Sequence, residues 1–420
     1  MAPAYMGCSY AEADHKHEIK RYLNDLAREY ALAKGCEDAR LPSSRPSKKR
    51  PTVVIPAELY EEGHAVHRIF GADIRSLTTR FETVLMTPSG TIDETLTDLF
   101  SRVDSTAFDA VNPAQFCQAV LRHEPDIVSL PDGWNAIHEH PACESSACAH
   151  PDHDIRASCH HQFRCIDYAV VHDGVVVDES TLSETILVRE YGAQFLEHSD
   201  RLSISPNIRS NPERIHVAVP AWQRKITPEF LRTCRKIANL AQRPVRFAFF
   251  PNSIGSAFRA FKKRVESMLP AEVLPSTNYA QYMEWLNQCD IFLSTFPFGA
   301  TNGIVDAARL GLPVVNRKGR EMHSMIDSLM MAELGAPDWL STGTVDEYID
   351  AAVRLIDDDG LRVSMSEQLV RADVRTVFLH DQDRDDFVRV FDAAYRHHEI
   401  LASGGRKLWS YADLVAPGSN

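Results

Sequence analysis

Residues 290–315 read DIFLSTFPFGATNGIVDAARLGLPVV. The run Ile291–Thr295 has no polar alternation, which predicts a buried strand. The turn Phe296-Pro297-Phe298-Gly299 ends it. Thr301 or Asn302 then caps a helix that begins near Gly303 and is expected over Thr301–Leu310. A second buried run, Leu312–Asn316, follows. Strand, small-residue turn, helix and strand together make one step of a parallel α/β sheet.

The same alternation extends upstream. Strands are expected at Ile215–Val219 and Val245–Phe250, and helices at Pro228–Leu240, Gly255–Met268 and Tyr279–Gln288. In the first half, short apolar runs at Thr52–Ile55, Phe81–Met86, Asp126–Leu130 and Ile166–Val171 are separated by helical stretches, again the pattern of buried parallel strands. A helix is expected over Ala11–Ala33, ending before Gly35. Each half therefore reads as a doubly wound Rossmann-like α/β unit, with a boundary at the proline- and asparagine-rich stretch Ser205–Pro212. The expected division is 1–205, 206–382, and a C-terminal helix (Asp383–Leu401) with tail over 383–420 that packs back on the first unit. Two such units place a ligand cleft at the carboxyl ends of their strands.

Composition bounds the function. The chain has 420 residues, 58 Asp and Glu against 45 Lys and Arg, and a net charge of −13. Nucleic acid and anionic lipid both call for basic surface, so neither is an expected partner. No apolar run approaches the roughly 18 residues of a membrane span, and the N-terminus lacks a signal-peptide pattern, so a cytoplasmic protein is expected. An odd number of cysteines, nine, does not suggest a disulfide framework.

The start of a helix leaves N–H groups unpaired and carries partial positive charge. The small-residue loop Gly299–Gly303 would let a diphosphate approach those groups. Asp306, one turn into the helix on the same face, is suited to accept hydrogen bonds from ribose hydroxyls. An ordinary strand–helix turn that binds nothing fits these residues as well. Lys225, in QRKITPEFL, follows one strand and precedes a helix, a placement that projects it toward the same edge.

The stretch FPFGATNGIVDAARLGLPVV, with GREMHSMID (319–327) and LGAPDWLSTGTVDEYIDAAVRL (334–355), resembles the bacterial cytoplasmic N-glycosyltransferases of glycosyltransferase family 41. These enzymes modify adhesins and are distant relatives of the O-GlcNAc transferases. The likeness covers about residues 215–370 with few gaps. It continues in family order through YMGCSYAEADHKHEIK, VVIPAELYEEGHAVHRIF and CIDYAVV. It implies a GT-B fold, a UDP-sugar bound mostly by the C-terminal unit, and no cofactor or essential metal. Transfer would invert the anomeric centre, moving a hexose (glucose by family habit) to a protein or peptide acceptor, with asparagine in Asn-x-Ser/Thr the default. O-glycosylation of Ser/Thr, transfer to a small molecule, and a non-catalytic sugar-nucleotide-binding protein remain the alternatives.

Carried over residue by residue, Lys225 falls on the lysine that contacts the pyrophosphate, and Asn302 and Asp306 on nucleotide-contacting positions. His64 matches a functionally important histidine, with His67 and Arg68 within a turn, and His17 is a weaker candidate. His323 and Asp327, spaced i,i+4, share a helix face and would line the pocket or support the helix. The sequence departs from the family at Ser276, where a histidine usually stands, and at Ser253, where a glutamine is common. Fuller members carry a helical N-terminal domain, which is expected to be missing here.

Residues 143–165, CESSACAHPDHDIRASCHHQFRC, bring Cys143, Cys148, Cys159 and Cys165 together with four histidines. Zinc favours such ligands, but the spacing contains no CxxC pair, and a loop of reduced thiols is the stronger reading. The acidic clusters Asp357–Asp359 and Asp381–Asp386 lie where acids cap helices or face solvent.

Overall fold

The computed structural model describes residues 8, 10–12, 16–34, 48–57, 60, 65–87, 99–105, 112–130, 167–175, 184–190, 192, 194–197, 202–379, 385–403 and 405–415. The chain divides into two compact units, 1–199 with 381–420, and 200–380.

The first unit opens with α1 (Lys16–Ala33), which starts five residues later than its periodicity suggested. Its main sheet holds β1 (Thr52–Pro56), β2 (Glu82–Met86), β3 (Arg102–Asp104) and β4 (Ile127–Val128), all parallel, in the order β3-β2-β1-β4. Between these strands run α2 (Ala65–Leu77) and α3 (Pro113–Leu121). Asn112 caps α3 by accepting the N–H groups of Ala114 and Gln115. The strands β5 (Tyr168–His172) and β6 (Thr185–Arg189) do not join this sheet. They form a second, parallel three-stranded sheet with a strand from the chain's end, so the single sheet expected of this half is in fact two.

The second unit is one parallel sheet of six strands. These are β7 (Ile215–Val219), β8 (Val245–Phe249), β9 (Ala271–Val273), β10 (Ile291–Leu293), β11 (Val314–Arg317) and β12 (Ser341–Thr342), in the order β12-β11-β10-β7-β8-β9. The helices are α4 (Pro228–Leu240), α5 (Gly255–Met268), α6 (Tyr279–Leu286), α7 (Asn302–Arg309), α8 (Met322–Glu333), α9 (Val345–Asp357), α10 (Asp359–Ala372) and α11 (Val374–Phe378). Local chemistry fixes their starts. At α4, Thr227 accepts the Phe230 N–H and Pro228 takes a position whose N–H needs no partner. At α9 a capping box links Thr344 and Glu347. The core under α4, α5 and α9 gathers Val217, Phe230, Phe247, Phe261 and Tyr348, and burying each large side chain contributes about 1.5–3 kcal/mol.

From β7 the chain steps to β8 and β9 on one side, then returns to place β10 on the other. The strand order therefore reverses between β7 and β10. In a parallel sheet that reversal opens a crevice at the carboxyl ends, where ligands bind.

The last elements, α12 (Asp386–Arg396), α13 (His398–Ala402), β13 (Leu408–Trp409) and α14 (Tyr411–Val415), belong to the first unit. The single helix expected over Asp383–Leu401 is two, broken at His397, whose backbone is not helical. Asp386 of α12 grips Arg189 of β6 through both carboxylate oxygens, at 3.0 and 3.2 Å. Asp73 of α2 takes another Arg189 nitrogen at 2.6 Å. Among the described residues no helix is long and apolar enough to cross a membrane.

Candidate functional site

The site grows from the loop between β10 and α7, which lies at the β7–β10 reversal. Beneath it, Phe296 packs edge-on against Phe230 and Tyr348, and the Tyr348 hydroxyl donates to the Ser294 carbonyl at 2.9 Å. The Thr295 hydroxyl donates to the Phe298 carbonyl at 2.8 Å, which curls the turn back on itself.

Lys225 ends a short turn of 3-10 helix, Gln223–Lys225, that follows β7. Its ammonium donates to the Gly299 carbonyl at 2.6 Å and lies 4.2 Å from the centre of the Phe298 ring. The Gln223 N–H donates to the Pro251 carbonyl beyond β8, so three neighbouring strand ends are tied together. The lysine is thereby aimed at the glycine turn from the adjacent strand.

The capping of α7 differs from the sequence expectation. Thr301 occupies the cap position, but its side chain makes no capping hydrogen bond, and Asn302 is the first helical residue. Instead Asp327, from α8, accepts the Ala300 N–H at 2.8 Å and the Thr301 N–H at 2.9 Å, and also the Ser294 hydroxyl. A buried carboxylate already fills the anion position at this end of the loop, as the partial charge at a helix start favours. These two N–H groups are thus committed to the protein itself. In this backbone conformation (φ 46°, ψ −91°) the Thr301 hydroxyl makes no bond to the first turn, where the Gly303 and Ile304 N–H groups donate instead to the Ala300 and Thr301 carbonyls. Asp327 holds the two N–H groups just before the helix.

The glycine turn is shaped around this carboxylate. A Cβ on Gly299 would lie 2.5 Å from Asp327 Oδ2, so the close approach needs glycine. At Gly303 a Cβ would press on Phe292 and Ala300 at 3.0 and 3.2 Å. His323, one turn before Asp327, stacks on Phe298 at 4.9 Å, lies 3.2 Å from Glu321, and accepts the Gly299 N–H on its carbonyl. These contacts support the turn, one of the two roles that the sequence left open for His323 and Asp327.

Asp306 is buried on α7, and its Oδ1 accepts the Tyr279 hydroxyl at 2.7 Å. Ser276 is exposed after β9, and its hydroxyl donates to Asn252, a residue with positive φ after β8. The second unit thus brings Lys225, Gly299, Thr301, Asn302, Gly303, Asp306, His323 and Ser276 to one edge of one sheet. Sequence reasoning missed Tyr279; it named Asp327 as lining the pocket or supporting its helix, but not as the brace of the turn before α7. For Tyr279 no local signal existed; for Asp327 the i,i+4 spacing from His323 was the only one.

Other candidates lie elsewhere. His64 and the cysteines Cys143, Cys148, Cys159 and Cys165 fall outside the described residues, as does the side chain of His17. His67 and Arg68 are buried on α2 of the first unit. Among the described residues no cluster of His, Cys, Asp and Glu could hold a metal ion. Asp357 accepts the N–H groups of Gln242 and Arg243, Asp358 caps α10, and Asp359 pairs with Arg243 and Arg362.

No known protein-family profile matches the chain. Two relatives are each 28% identical over 397 residues, which span 90% of this chain. They are the UDP-glucose:protein N-β-glucosyltransferases of Actinobacillus pleuropneumoniae serotype 5b (strain L20) and serotype 7 (strain AP76). The chain spans 62% of the length of these relatives. A mutant of the Thermobaculum terrenum O-GlcNAc transferase superposes with a TM-score of 0.71 at 19% identity, covering 96% of this chain and 77% of that one. The likeness read from the glycine-turn motif thus runs through nine-tenths of the chain, and its fold is GT-B.

Proposed function

We propose that this chain transfers a hexose, most simply glucose, from a UDP-sugar to a protein acceptor, with asparagine in an Asn-x-Ser/Thr context as the linkage site, by inversion and without a metal. The relatives named as UDP-glucose:protein N-β-glucosyltransferases support the donor and the acceptor class. The observation that carries the reading is Lys225, held at 2.6 Å from the Gly299 carbonyl where the strand order reverses. An arriving diphosphate exchanges that neutral acceptor for an anionic one. Such a charge-assisted bond is worth roughly 1.5–3 kcal/mol. It strengthens as the anomeric C–O bond breaks and charge builds on the departing UDP, so it lowers the barrier as well as the donor Kd. The Asp306 carboxylate, steadied by Tyr279, accepts ribose hydroxyls. The attacking acceptor atom forms the new bond to the anomeric carbon from the face opposite the departing UDP as the anomeric C–O bond breaks, and its proton passes to solvent.

The test is mass spectrometry of an Asn-x-Thr peptide incubated with the chain and UDP-glucose, alongside UDP release. The expected result is a hexose mass on the asparagine and UDP release that rises with peptide. In Lys225→Ala, kcat/KM falls roughly 10- to 100-fold, by the bond energy above, while the protein stays folded. Sugar found on Ser or Thr moves the reading to O-linked transfer; UDP release indifferent to peptide removes the protein acceptor.

A further inference from the structure

Whole-chain charge conceals a local surplus. Residues 228–268 hold nine Lys and Arg against two acids, Glu229 and Glu266, within a chain of net charge −13. This segment is α4, β8 and α5. The two helices join consecutive strands in one direction across the sheet, so right-handed crossovers put both on the same face. Their apolar sides meet in one core through Phe230, Ile237, Phe261 and Val265. Their other sides look outward together.

On those outward sides stand Arg232, Arg235 and Lys236 of α4 and Arg259, Lys263 and Arg264 of α5, all exposed. Among the described residues none of the six has an acidic partner. The remaining three cations do: Arg243 pairs with Asp359, Arg246 with Glu272, and Lys262 with Glu266. Beyond α4 the same face turns acidic, with Asp346, Glu347 and Asp350 exposed on α9. Charge is thus sorted along the face. Two large apolar side chains mark the ends of the cationic part: Leu240, 59% exposed, at the end of α4, and Ile254, 79% exposed, just before α5.

We infer that the α4–α5 face docks on an anionic lipid bilayer through its headgroup phosphates. Clustered Lys and Arg on amphipathic helices suit such a surface, which offers many phosphates and demands no exact spacing. A nucleic acid fits less well, because no exposed residue of the two helices is aromatic and bases have nothing to stack on. A protein partner calls for an apolar centre with a polar rim, and here the centre is cationic and the exposed apolar groups sit at the ends. The acidic surplus elsewhere does not forbid contact, since charges are screened beyond roughly 8 Å at physiological salt. This inference does not rest on the transferase reading.

Sedimentation of the whole chain with two kinds of vesicle tests it: phosphatidylcholine alone, and phosphatidylcholine with phosphatidylglycerol at roughly two to one. The expected result is partition only into the mixed vesicles, weakening as salt rises. The variant R235E/K263E/R264E is expected to lose at least tenfold in partition at an unchanged melting temperature and UDP affinity. No partition, equal partition into both vesicles, or partition indifferent to the substitutions overturns the inference. So does a variant that loses binding of RNA or of an acidic protein while keeping its hold on vesicles.

Discussion

Asp327 accepts the Thr301 N–H at 2.9 Å across 26 residues of sequence, and Thr301 is one of four non-glycine residues with positive φ among those described. A left-handed threonine costs on the order of 1–3 kcal/mol and persists only where its surroundings hold it. The carboxylate does so, taking Ala300 N–H and Ser294 hydroxyl as well while itself 3% exposed. Removing it in Asp327→Ala strands two N–H groups and a hydroxyl. We expect a loss of about 2–4 kcal/mol in urea unfolding, since each buried unmet group costs about 1–3 kcal/mol and the loop relaxes in part. Asp327→Asn should recover less than half of it, because its amide NH2 would face donors. An unfolding midpoint at the parental value in Asp327→Ala would remove the brace.

Gly299 and Asp327 are a matched pair. A methyl at 299 would sit 2.5–2.8 Å from the carboxyl carbon and oxygens of Asp327, so one of them has to move. Movement displaces the carbonyl that holds Lys225. Gly299→Ala is expected to weaken UDP binding, measured by calorimetry, by roughly tenfold, about 1.4 kcal/mol. Gly405→Ala, where an added Cβ meets nothing within 4 Å, is the control for the chemistry of the substitution. Equal UDP affinity in the two variants would contradict the pairing.

How far the sequence reached depends on distance along the chain. Ile215–Val219, Pro228–Leu240 and Gly255–Met268 were legible to the residue, because unbroken apolar runs, a Thr-Pro start and helical periodicity are local signals. Arg102–Asp104, Ala271–Val273, Ser341–Thr342 and Leu408–Trp409 were not, being two or three residues long and mostly half exposed. Thr185–Arg189 carried a readable apolar run and was overlooked. In the site, Lys225 and the glycine turn were legible as strand-to-helix junctions. The cap was misread because a threonine next to a helix start looks like a cap from sequence, whereas the group that holds this turn, Asp327, comes from the following helix. Tyr279 was invisible for the same reason: its meeting with Asp306 spans 27 residues and a change of direction in the sheet.

That meeting has a measurable consequence. The Tyr279 hydroxyl donates to one oxygen of Asp306 at 2.7 Å and so sets the direction of the carboxylate. Tyr279→Phe keeps the ring, which packs near Tyr282, and removes only the hydroxyl. A net hydrogen bond of about 0.5–1.5 kcal/mol corresponds to a rise of roughly 2- to 10-fold in the KM for the UDP-sugar, with kcat changed less than twofold. Discrimination between UDP and 2′-deoxy-UDP should shrink in the same variant. A merely structural tyrosine would lower melting temperature and leave that discrimination alone.

The buried Arg189 of the first unit makes the strongest stability prediction. Burial works against its charge, but Asp73 and Asp386 outweigh that and keep the guanidinium protonated. The ring of Phe387 adds a cation–π contact at 5.1 Å. Because Asp386 begins α12, the triad ties the chain's C-terminal segment to β6 and α2. Asp386→Ala leaves a buried cation with one partner, and breaking a buried pair this way costs about 3–5 kcal/mol. The triple replacement Asp73→Leu, Arg189→Met, Asp386→Leu removes all three charges together and should cost far less, since no ion is left unpaired. Thermal unfolding of the two variants separates a network held for its charge pairing from one held for its volume. The single substitution is expected to unfold well below the triple one. If the two unfold at the same temperature, the cost lies in lost packing at position 386 and not in the orphaned guanidinium.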